Sequence, residues 1–398
     1  MSTSRSIVIG ILSLLIVWQT IDQLPLSLHP SQDSWGLTDW LINYEGGFVR
    51  RGLGGAVLRF LEDWTGIQAN HLAIAISVAS YLGLGWWMLR RASLRYSPEL
   101  LLSGVFLAFP AMQGTVVRKD CLLLLLLIAC LKFLIAKRAP YIRWTLLNLT
   151  VCVGILLHET FAFVAIPALA LHSHSAVAER IPRRIALLSP SLICLALVIV
   201  HHGSPSVALA IHQSWQHLWQ ETCVAQSLLS GPFSTIGSIG WTAGEGTALT
   251  KGILQTGLYQ PAAWLFVTIT GFLITLHFVH TRNSRGEPVE TARLILIQFA
   301  AVFPLFFVGI DYGRWVHFCA MSSVILRTCD FTAPHTLWLT SSFTTPLQRW
   351  PNLVHPIPGR EWILLLFGLP ILWSARNFML ASPIGRILSN VTEIHMLP

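Results

Sequence analysis

The stretch CLLLLLLIACLKFLIA, residues 121–136, decides the fold class, because only Lys132 interrupts its apolar side chains. A membrane-spanning helix needs about 20 predominantly apolar residues, and this run with its flanks approaches that length. Lys132 lies four residues from the end of the run. At that place its long side chain can reach the membrane surface. The stretch therefore predicts a transmembrane helix.

Comparable apolar segments recur along the 398 residues, of which 54% are apolar and 11% charged. A soluble domain usually carries about 25% charged residues. We therefore predict an all-α, polytopic integral membrane protein that forms a single membrane domain over residues 1–398. Its first apolar segment is expected to be retained as a helix, since no small-residue cleavage site follows it. About eleven transmembrane helices are predicted, at residues 7–21, 71–88, 100–117, 121–136, 145–157, 161–171, 185–200, 262–279, 294–310, 316–326 and 362–373.

The positive charges predict how these helices are oriented, since cytoplasmic loops carry an excess of Lys and Arg. Counting spans from a cytoplasmic N-terminus places four groups of three cations inside. Residues 201–260 fall outside and contain one Lys, Lys251, and no Arg. The net charge of +8 forms no continuous basic stripe, so no nucleic-acid partner is predicted. The four inside groups are Arg90, Arg91 and Arg95; Lys137, Arg138 and Arg143; Arg180, Arg183 and Arg184; and Arg282, Arg285 and Arg293.

Two outside loops, residues 22–70 and 201–260, are expected to contribute to a functional site. Each contains a stretch with apolar side chains at roughly helical spacing, residues 48–64 and 207–229. Such amphipathic helices usually lie in the membrane interface, so membrane lipids are predicted partners. The second stretch carries Trp215, and we expect its helix to cover the site.

The first candidate element, DWLINYEGGFVRRG at residues 39–52, places Arg50 and Arg51 outside, against the positive-inside trend. The planar fork of arginine donates two parallel hydrogen bonds and suits phosphate. The neighbouring glycines permit close approach of the backbone to a ligand. The alternative is that both arginines reach for lipid headgroups.

Three further elements emerge on the same predicted face. Arg118 and Lys119 lie in the hairpin GTVVRKD, residues 114–120, which can also be a solvated turn. His158 and Glu159 lie at a break between apolar segments. An ionisable pair at membrane depth has a high free-energy cost, which suggests a function. The alternative is that the pair stabilises the helix break.

The last element is IDYGRW, residues 310–315, which combines Asp311 and Arg314 with Tyr312 and Trp315. The two aromatic residues can also be ordinary members of an interface belt. Because all four elements share one predicted face, they favour a single site built from several helix ends.

At these residues the sequence resembles the EpsG and Wzy-type polysaccharide polymerases and, more loosely, the GT-C membrane glycosyltransferases. The counterparts of the polymerase pattern are Asp39, Tyr44, Glu45, Gly47 and Phe48, then Arg118, His158 and Arg314. Lys119 stands where glutamine is common in that pattern. The resemblance implies an enzyme of exopolysaccharide or O-antigen synthesis that acts on a polyprenyl-diphosphate-linked glycan, in the cytoplasmic (inner) membrane and beside other polysaccharide-assembly proteins.

These observations predict a glycosyltransferase that moves a glycan from a polyprenyl-diphosphate carrier to a sugar hydroxyl at the outer face of the membrane. The proton acceptor is expected among Glu45, His158, Glu159 and Asp311. No P-loop, CxxC pair or cofactor motif is present, so no cofactor or metal is predicted. The alternatives are a lipid-linked glycan transporter or flippase and a non-enzymatic assembly subunit. The predicted substrate-binding residues are Tyr44, Arg50, Arg51, Arg118, Lys119, Tyr312, Arg314 and Trp315.

Overall fold

The computed structural model describes residues 3–28, 35–219, 234–255, 287–308, 311–333 and 360–366. These residues are predominantly helical and contain no β-strand, which confirms the all-α class. Single 3-10 turns lie at Ala92–Leu94 and Arg360–Trp362. The α-helices are α1 Thr3–Leu28, α2 Trp35–Trp40, α3 Gly52–Thr65, α4 Ala69–Arg91, α5 Pro98–Leu101, α6 Ala108–Met112, α7 Asp120–Ile135, α8 Pro140–Leu157, α9 Thr160–Leu171, α10 Ile181–Leu187, α11 Ser189–Val200, α12 Pro205–Ser214, α13 Gln216–Trp219, α14 Ser234–Ser238, α15 Ala243–Gln255, α16 Glu287–Val302, α17 Leu305–Val308, α18 Tyr312–Thr328 and α19 Ile363–Leu366.

Three of the described helices, α1, α4 and α8, are long and apolar enough to cross a membrane. The pair α10 and α11 makes a fourth candidate if it counts as one span, and it bends by 57°. Apolar side chains point outward from these helices, among them Leu14, Leu82 and Leu149. Large apolar surfaces of this kind are unusual on soluble monomers. A membrane protein is therefore supported, whereas the count of eleven spans is not confirmed.

One predicted span, residues 100–117, is not a continuous helix. The chain there forms α5 and α6 with turns between them. Pro110 lies inside α6. Proline lacks the backbone N–H and clashes with the preceding turn, which opposes a longer helix. Gly114 then takes a left-handed conformation, with φ 69°, after α6 ends.

Other predicted spans are shorter than a bilayer. Helix α7 has 16 residues, about 24 Å at 1.5 Å per residue, against a hydrocarbon core of about 30 Å. Helices α9 and α18 have 12 and 17 residues. The predicted span at residues 262–279 lies outside the described residues, as do Arg282, Arg285 and residues 367–373 of the last predicted span.

The chain divides into two compact units. The second unit comprises Ile21–Leu84 and Val116–Gly246. In it α8 packs against α3, α7, α9 and α11, because its buried side chains, such as Leu147, Val151 and Ile155, recur at helical spacing. Short connections make α7, α8 and α9 run back and forth, so the start of α7, the end of α8 and the start of α9 come close together.

The first unit comprises Met1–Thr20, Gly85–Thr115 and Thr247–Pro398. Its centre is α18, which packs along α16 and is buried from Tyr312 through Leu326. The ring of His317 stacks on Phe109 with ring centroids 4.5 Å apart, and its Nδ1 lies 2.9 Å from the carbonyl oxygen of Val105.

Candidate functional site

Five helix ends of the second unit bring charged side chains together. Asp39 comes from α2, Arg51 immediately precedes α3, and Lys119 immediately precedes α7. His158 follows α8, and Glu159 immediately precedes α9. Residues from three of the four predicted elements therefore form one group, which we call the charged cluster: Asp39, Arg50, Arg51, Lys119, His158 and Glu159.

Arg51 is the centre of the charged cluster. Its Nε and Nη2 both donate to the carboxylate of Glu159, with Nε 2.8 Å from Oε2, and its Nη1 lies 3.3 Å from Oδ1 of Asp39. The backbone of Arg51 is left-handed, with φ 65°. This conformation costs a non-glycine residue roughly 1–2 kcal/mol. Such strain persists only where surrounding contacts enforce it, and it is common at functional sites.

Lys119 ties the cluster to the backbone of three segments. Its ammonium is completely buried and donates to the carbonyl oxygens of Asp39 at 2.8 Å and Leu157 at 3.0 Å. It also lies 3.4 Å from the Asp39 carboxylate. Burial lowers the pKa of Lys119, and Asp39 opposes that shift. In this conformation its donors have protein acceptors and link these segments, and its role in binding substrate stays a prediction.

Arg50 is held more loosely than its neighbour. Its Nη2 donates to the carbonyl oxygen of Ser238 at 2.8 Å, and its Nη1 lies 3.8 Å from Glu159 Oε1. Burial lowers the pKa of Arg50, but a guanidinium stays charged in proteins. In the contacts described, the cations Arg50, Arg51 and Lys119 pair with the carboxylates of Asp39 and Glu159, and this concentration of positive charge favours an anion.

His158 and Glu159, which follow α8, differ in how readily they can accept a proton. Burial alone would raise the pKa of Glu159, but the positive charges of Arg51 and Arg50 hold it well below its usual range. Glu159 is therefore a carboxylate and a weak base while it is paired. His158 Nδ1 accepts from the backbone N–H of Thr160 at 3.2 Å and lies 2.8 Å from its hydroxyl oxygen. This nitrogen caps the start of α9, which weakens the case for it as a general base.

Other predicted residues lie in different surroundings. Glu45 forms an ion pair with Arg59 at 3.1 Å, and its side chain is 47% exposed. The ring of Tyr44 stacks on Phe48 with centroids 5.6 Å apart. Arg118 is half-buried and lies against α2, because a Cβ atom on Gly36 would sit 3.2 Å from its Cγ.

The close approach that glycines permit is used by the protein itself. A Cβ atom on Gly52 would lie 2.2 Å from the ring of Tyr44, and one on Gly55 would lie 2.4 Å from the carbonyl oxygen of Ile42. Gly52 and Gly55 thus pack α3 against the preceding segment, whereas a Cβ atom on Gly47 would meet nothing within 4 Å. The Trp215 indole is 1% exposed, lies in the core and donates to the Leu41 carbonyl oxygen at 2.7 Å. That its helix covers the site stays a prediction.

No protein-family model, curated protein or solved structure matches this chain. Function is therefore inferred from the chain's own residues. Within the described ranges, no group of three or more His, Cys, Asp or Glu side chains is arranged to hold a metal ion. The arrangement that remains is a partly exposed pair of arginines that carboxylates hold in place, which suits an anionic ligand.

The fourth predicted element lies in the first unit. Asp311 precedes α18 and accepts a hydrogen bond from Arg314 three residues later, as expected if the segment is helical. Tyr312 and Trp315 pack around Phe306, with ring centroids 4.8 and 4.9 Å from it. Both aromatic side chains are buried, so in this conformation their rings contact protein.

Sequence reasoning gave Asp39 no role of its own, although it belongs to the first element. In the structure its buried carboxylate joins Arg51 to Lys119. The available signal was an acid at the start of an outside element that also contains two arginines. The contribution of the Ser238 carbonyl oxygen to Arg50 had no sequence signal, because any residue supplies a backbone carbonyl.

Proposed function

We propose that this protein is a membrane glycosyltransferase of the polysaccharide-polymerase type. It transfers a glycan from a polyprenyl-diphosphate carrier to a sugar hydroxyl at the outer face of the cytoplasmic membrane. The proposal includes about eleven membrane spans and a role beside other polysaccharide-assembly proteins. The observation that supports it most is the adjacent pair Arg50 and Arg51, held by Glu159 where helix ends converge.

The charge of the cluster fits a diphosphate. Arginine forks match phosphate oxygens in a bidentate geometry, and Arg50 and Arg51 are adjacent in the chain and keep 22% and 17% of their side chains exposed. Fixed cations stabilise the negative charge that grows on the diphosphate as it leaves the sugar. The buried Lys119 adds positive charge behind them without needing to touch the ligand.

The reaction also needs a proton acceptor. The acceptor hydroxyl forms the new bond to the anomeric carbon, the bond from that carbon to the diphosphate oxygen breaks, and the electron pair leaves with the diphosphate. The hydroxyl proton goes to a carboxylate, for which Glu159 is placed beside the arginines. Arg314, oriented by Asp311 in the first unit, stays a proposed substrate residue.

The direct test uses purified full-length protein with a polyprenyl-diphosphate-linked glycan and a sugar acceptor. We expect glycan transfer that Glu159→Gln lowers by roughly 10² to 10⁴-fold at equal protein amounts, the usual contribution of a general base. Glu62→Gln, which removes a carboxylate paired with His217 in the same unit, is the control and should keep full activity.

A cellular test separates the alternatives. Deleting the gene should abolish surface polymer while single lipid-linked repeat units accumulate at the outer face. Accumulation at the inner face would indicate a transporter. Purified protein that neither binds nor consumes the lipid-linked sugar would indicate an assembly subunit, and the enzymatic proposal would be rejected.

A further inference from the structure

The pairing of Glu159 with Arg50 and Arg51 has a further consequence for ligand binding, and this inference rests on the proposed function. We infer that the Glu159 carboxylate occupies the place of a diphosphate oxygen group in the ligand-free protein. On this proposal the diphosphate binds by displacing Glu159 from Arg50 and Arg51, and the displaced carboxylate then becomes the proton acceptor of the reaction.

The geometry of the pair supports displacement. A carboxylate and a phosphate both accept the two parallel donors of a guanidinium, and Glu159 takes both from Arg51. Among the described residues, Arg50 Nε is buried without a hydrogen-bond partner, while Arg50 Nη1 remains 3.8 Å from Glu159. Donor capacity at this position thus exceeds what one carboxylate uses. A diphosphate has more oxygen acceptors and more negative charge, and it can engage both arginines.

The two acids of the cluster are held differently, and this difference identifies the one that moves. Asp39 contacts both Arg51 and the completely buried Lys119. Lys119 is itself fixed by backbone carbonyl oxygens from two further segments. Among the described residues, the Glu159 carboxylate contacts only the side chains of Arg51, Arg50 and His158. Asp39 therefore keeps Arg51 in place while Glu159 is exchanged for the ligand.

Displacement changes the chemistry of Glu159. A largely buried carboxylate that loses its cationic partners is unfavourable and takes up a proton. With an acceptor sugar present, the proton comes from the attacking hydroxyl as the oxygen–carbon bond forms and the diphosphate leaves with its electron pair. Without an acceptor, the proton comes from solvent, and it must return to solvent before Glu159 can accept the proton of an attacking hydroxyl. Binding of the carrier thereby converts a weak base into a stronger one at the moment it is needed.

The test is isothermal titration of purified full-length protein with inorganic pyrophosphate, in two buffers that differ in ionisation enthalpy. Wild-type protein should take up about one more proton on binding than Glu159→Gln does, because only the wild type has the displaced carboxylate. Removing the competing carboxylate should also tighten pyrophosphate binding about tenfold or more, the scale of one charge-assisted hydrogen-bonded pair. Glu62→Gln controls for the loss of one negative charge and should bind like wild type.

The outcomes separate the two proposals. If wild type binds pyrophosphate but Glu159→Gln binds equally or more weakly with unchanged proton uptake, Glu159 is a structural anchor and the displacement is wrong, while the diphosphate site stands. If neither wild type nor Glu159→Gln binds pyrophosphate, both the displacement and the proposed function are wrong. Should Glu159→Gln not fold, Glu159→Asp answers the question, since aspartate is favoured at a helix start. The shorter aspartate side chain reaches Arg51 less well, so the Glu159→Asp protein should bind pyrophosphate more tightly than wild type.

Discussion

The two ends of the α7–α8 pair both carry lysine and arginine, but most of these cations have different surroundings at the two ends. At the end that contains Lys119 and Leu157, the cations are buried or half-buried among carboxylates and carbonyl oxygens. At the other end, four cations are exposed to solvent, while Arg184 is buried and donates to the carbonyl oxygen of Leu169 at 3.3 Å. Helix α8 separates the two ends by 18 residues, about 27 Å. The exposed cations are Lys137, Arg138, Arg180 and Arg183.

The solvated end contains one pair that resembles the charged cluster. Arg143 donates to Glu179, both side chains are about one-tenth exposed, and Trp144 donates to the same carboxylate at 3.4 Å. The charged cluster instead joins five helix ends. Cations that lie in solvent can set the orientation of a membrane helix. Cations that are buried with acids need another reason to be there, and a ligand is one such reason.

The largest effect expected is all-or-none and concerns the side of the membrane. In a protein without its native cysteines, Phe48→Cys should react with an impermeant thiol reagent in intact cells, since Phe48 is exposed next to the cluster end. Ala139→Cys, exposed at the solvated end, should react only after the cells are opened. The reverse pattern would put the charged cluster on the cytoplasmic side and overturn the proposed location.

The next effect concerns stability. Lys119→Met removes a cation that joins three backbone segments and leaves Asp39 with less compensation, so a loss of roughly 3–5 kcal/mol is expected, as for broken buried pairs. Lys137→Met at the solvated end should change the free energy of unfolding by less than about 0.5 kcal/mol. Both are measured by chemical denaturation in detergent. Equal losses would mean that the two ends do not differ energetically.

A smaller effect concerns ligand geometry. Arg51→Lys keeps the charge but loses the two-pronged donor, so pyrophosphate should bind about tenfold more weakly. Arg143→Lys makes the same change at the other end and should leave binding unchanged. Equal affinity in Arg51→Lys and wild type would show that only net charge matters at the cluster.

The smallest effect is a dependence of stability on pH. The pKa of Glu159 is lowered in the folded protein, so its contribution is complete above the unfolded value of about 4.3 and is lost as the pH falls toward the folded value. The difference in unfolding midpoint between wild type and Glu159→Gln should therefore be largest near neutral pH and shrink below about pH 4. A constant difference from pH 7 to pH 3 would contradict the pairing.

The sequence predicted the helical class and the helices α1, α4 and α8, because a long apolar run has few alternatives to a helix in lipid. It did not predict the breaks near Pro110 and Leu188, since an apolar window averages over a single proline or bend. Spans defined by hydropathy alone therefore merge short helices that the structure separates.

The candidate site was predicted in part for a similar reason. An ionisable residue beside an apolar segment is visible in the sequence, which pointed to Arg51, Lys119 and Glu159. Their partners were not visible, because pairing depends on which helix ends meet. Lys119 was expected to face a ligand and instead faces backbone carbonyl oxygens, and Glu45 pairs with Arg59.

The separation of Arg51 and Glu159 along the chain has a consequence for biogenesis. The two residues are 108 positions apart, so at 5–20 residues per second Arg51 leaves the ribosome about 5–20 s before its partner. During that interval the acids near the arginines come from their own segment, which contains Asp39 and Glu45. The Arg51–Glu159 contact, and its support for the left-handed backbone at Arg51, can form only after α8 and Glu159 have been synthesised.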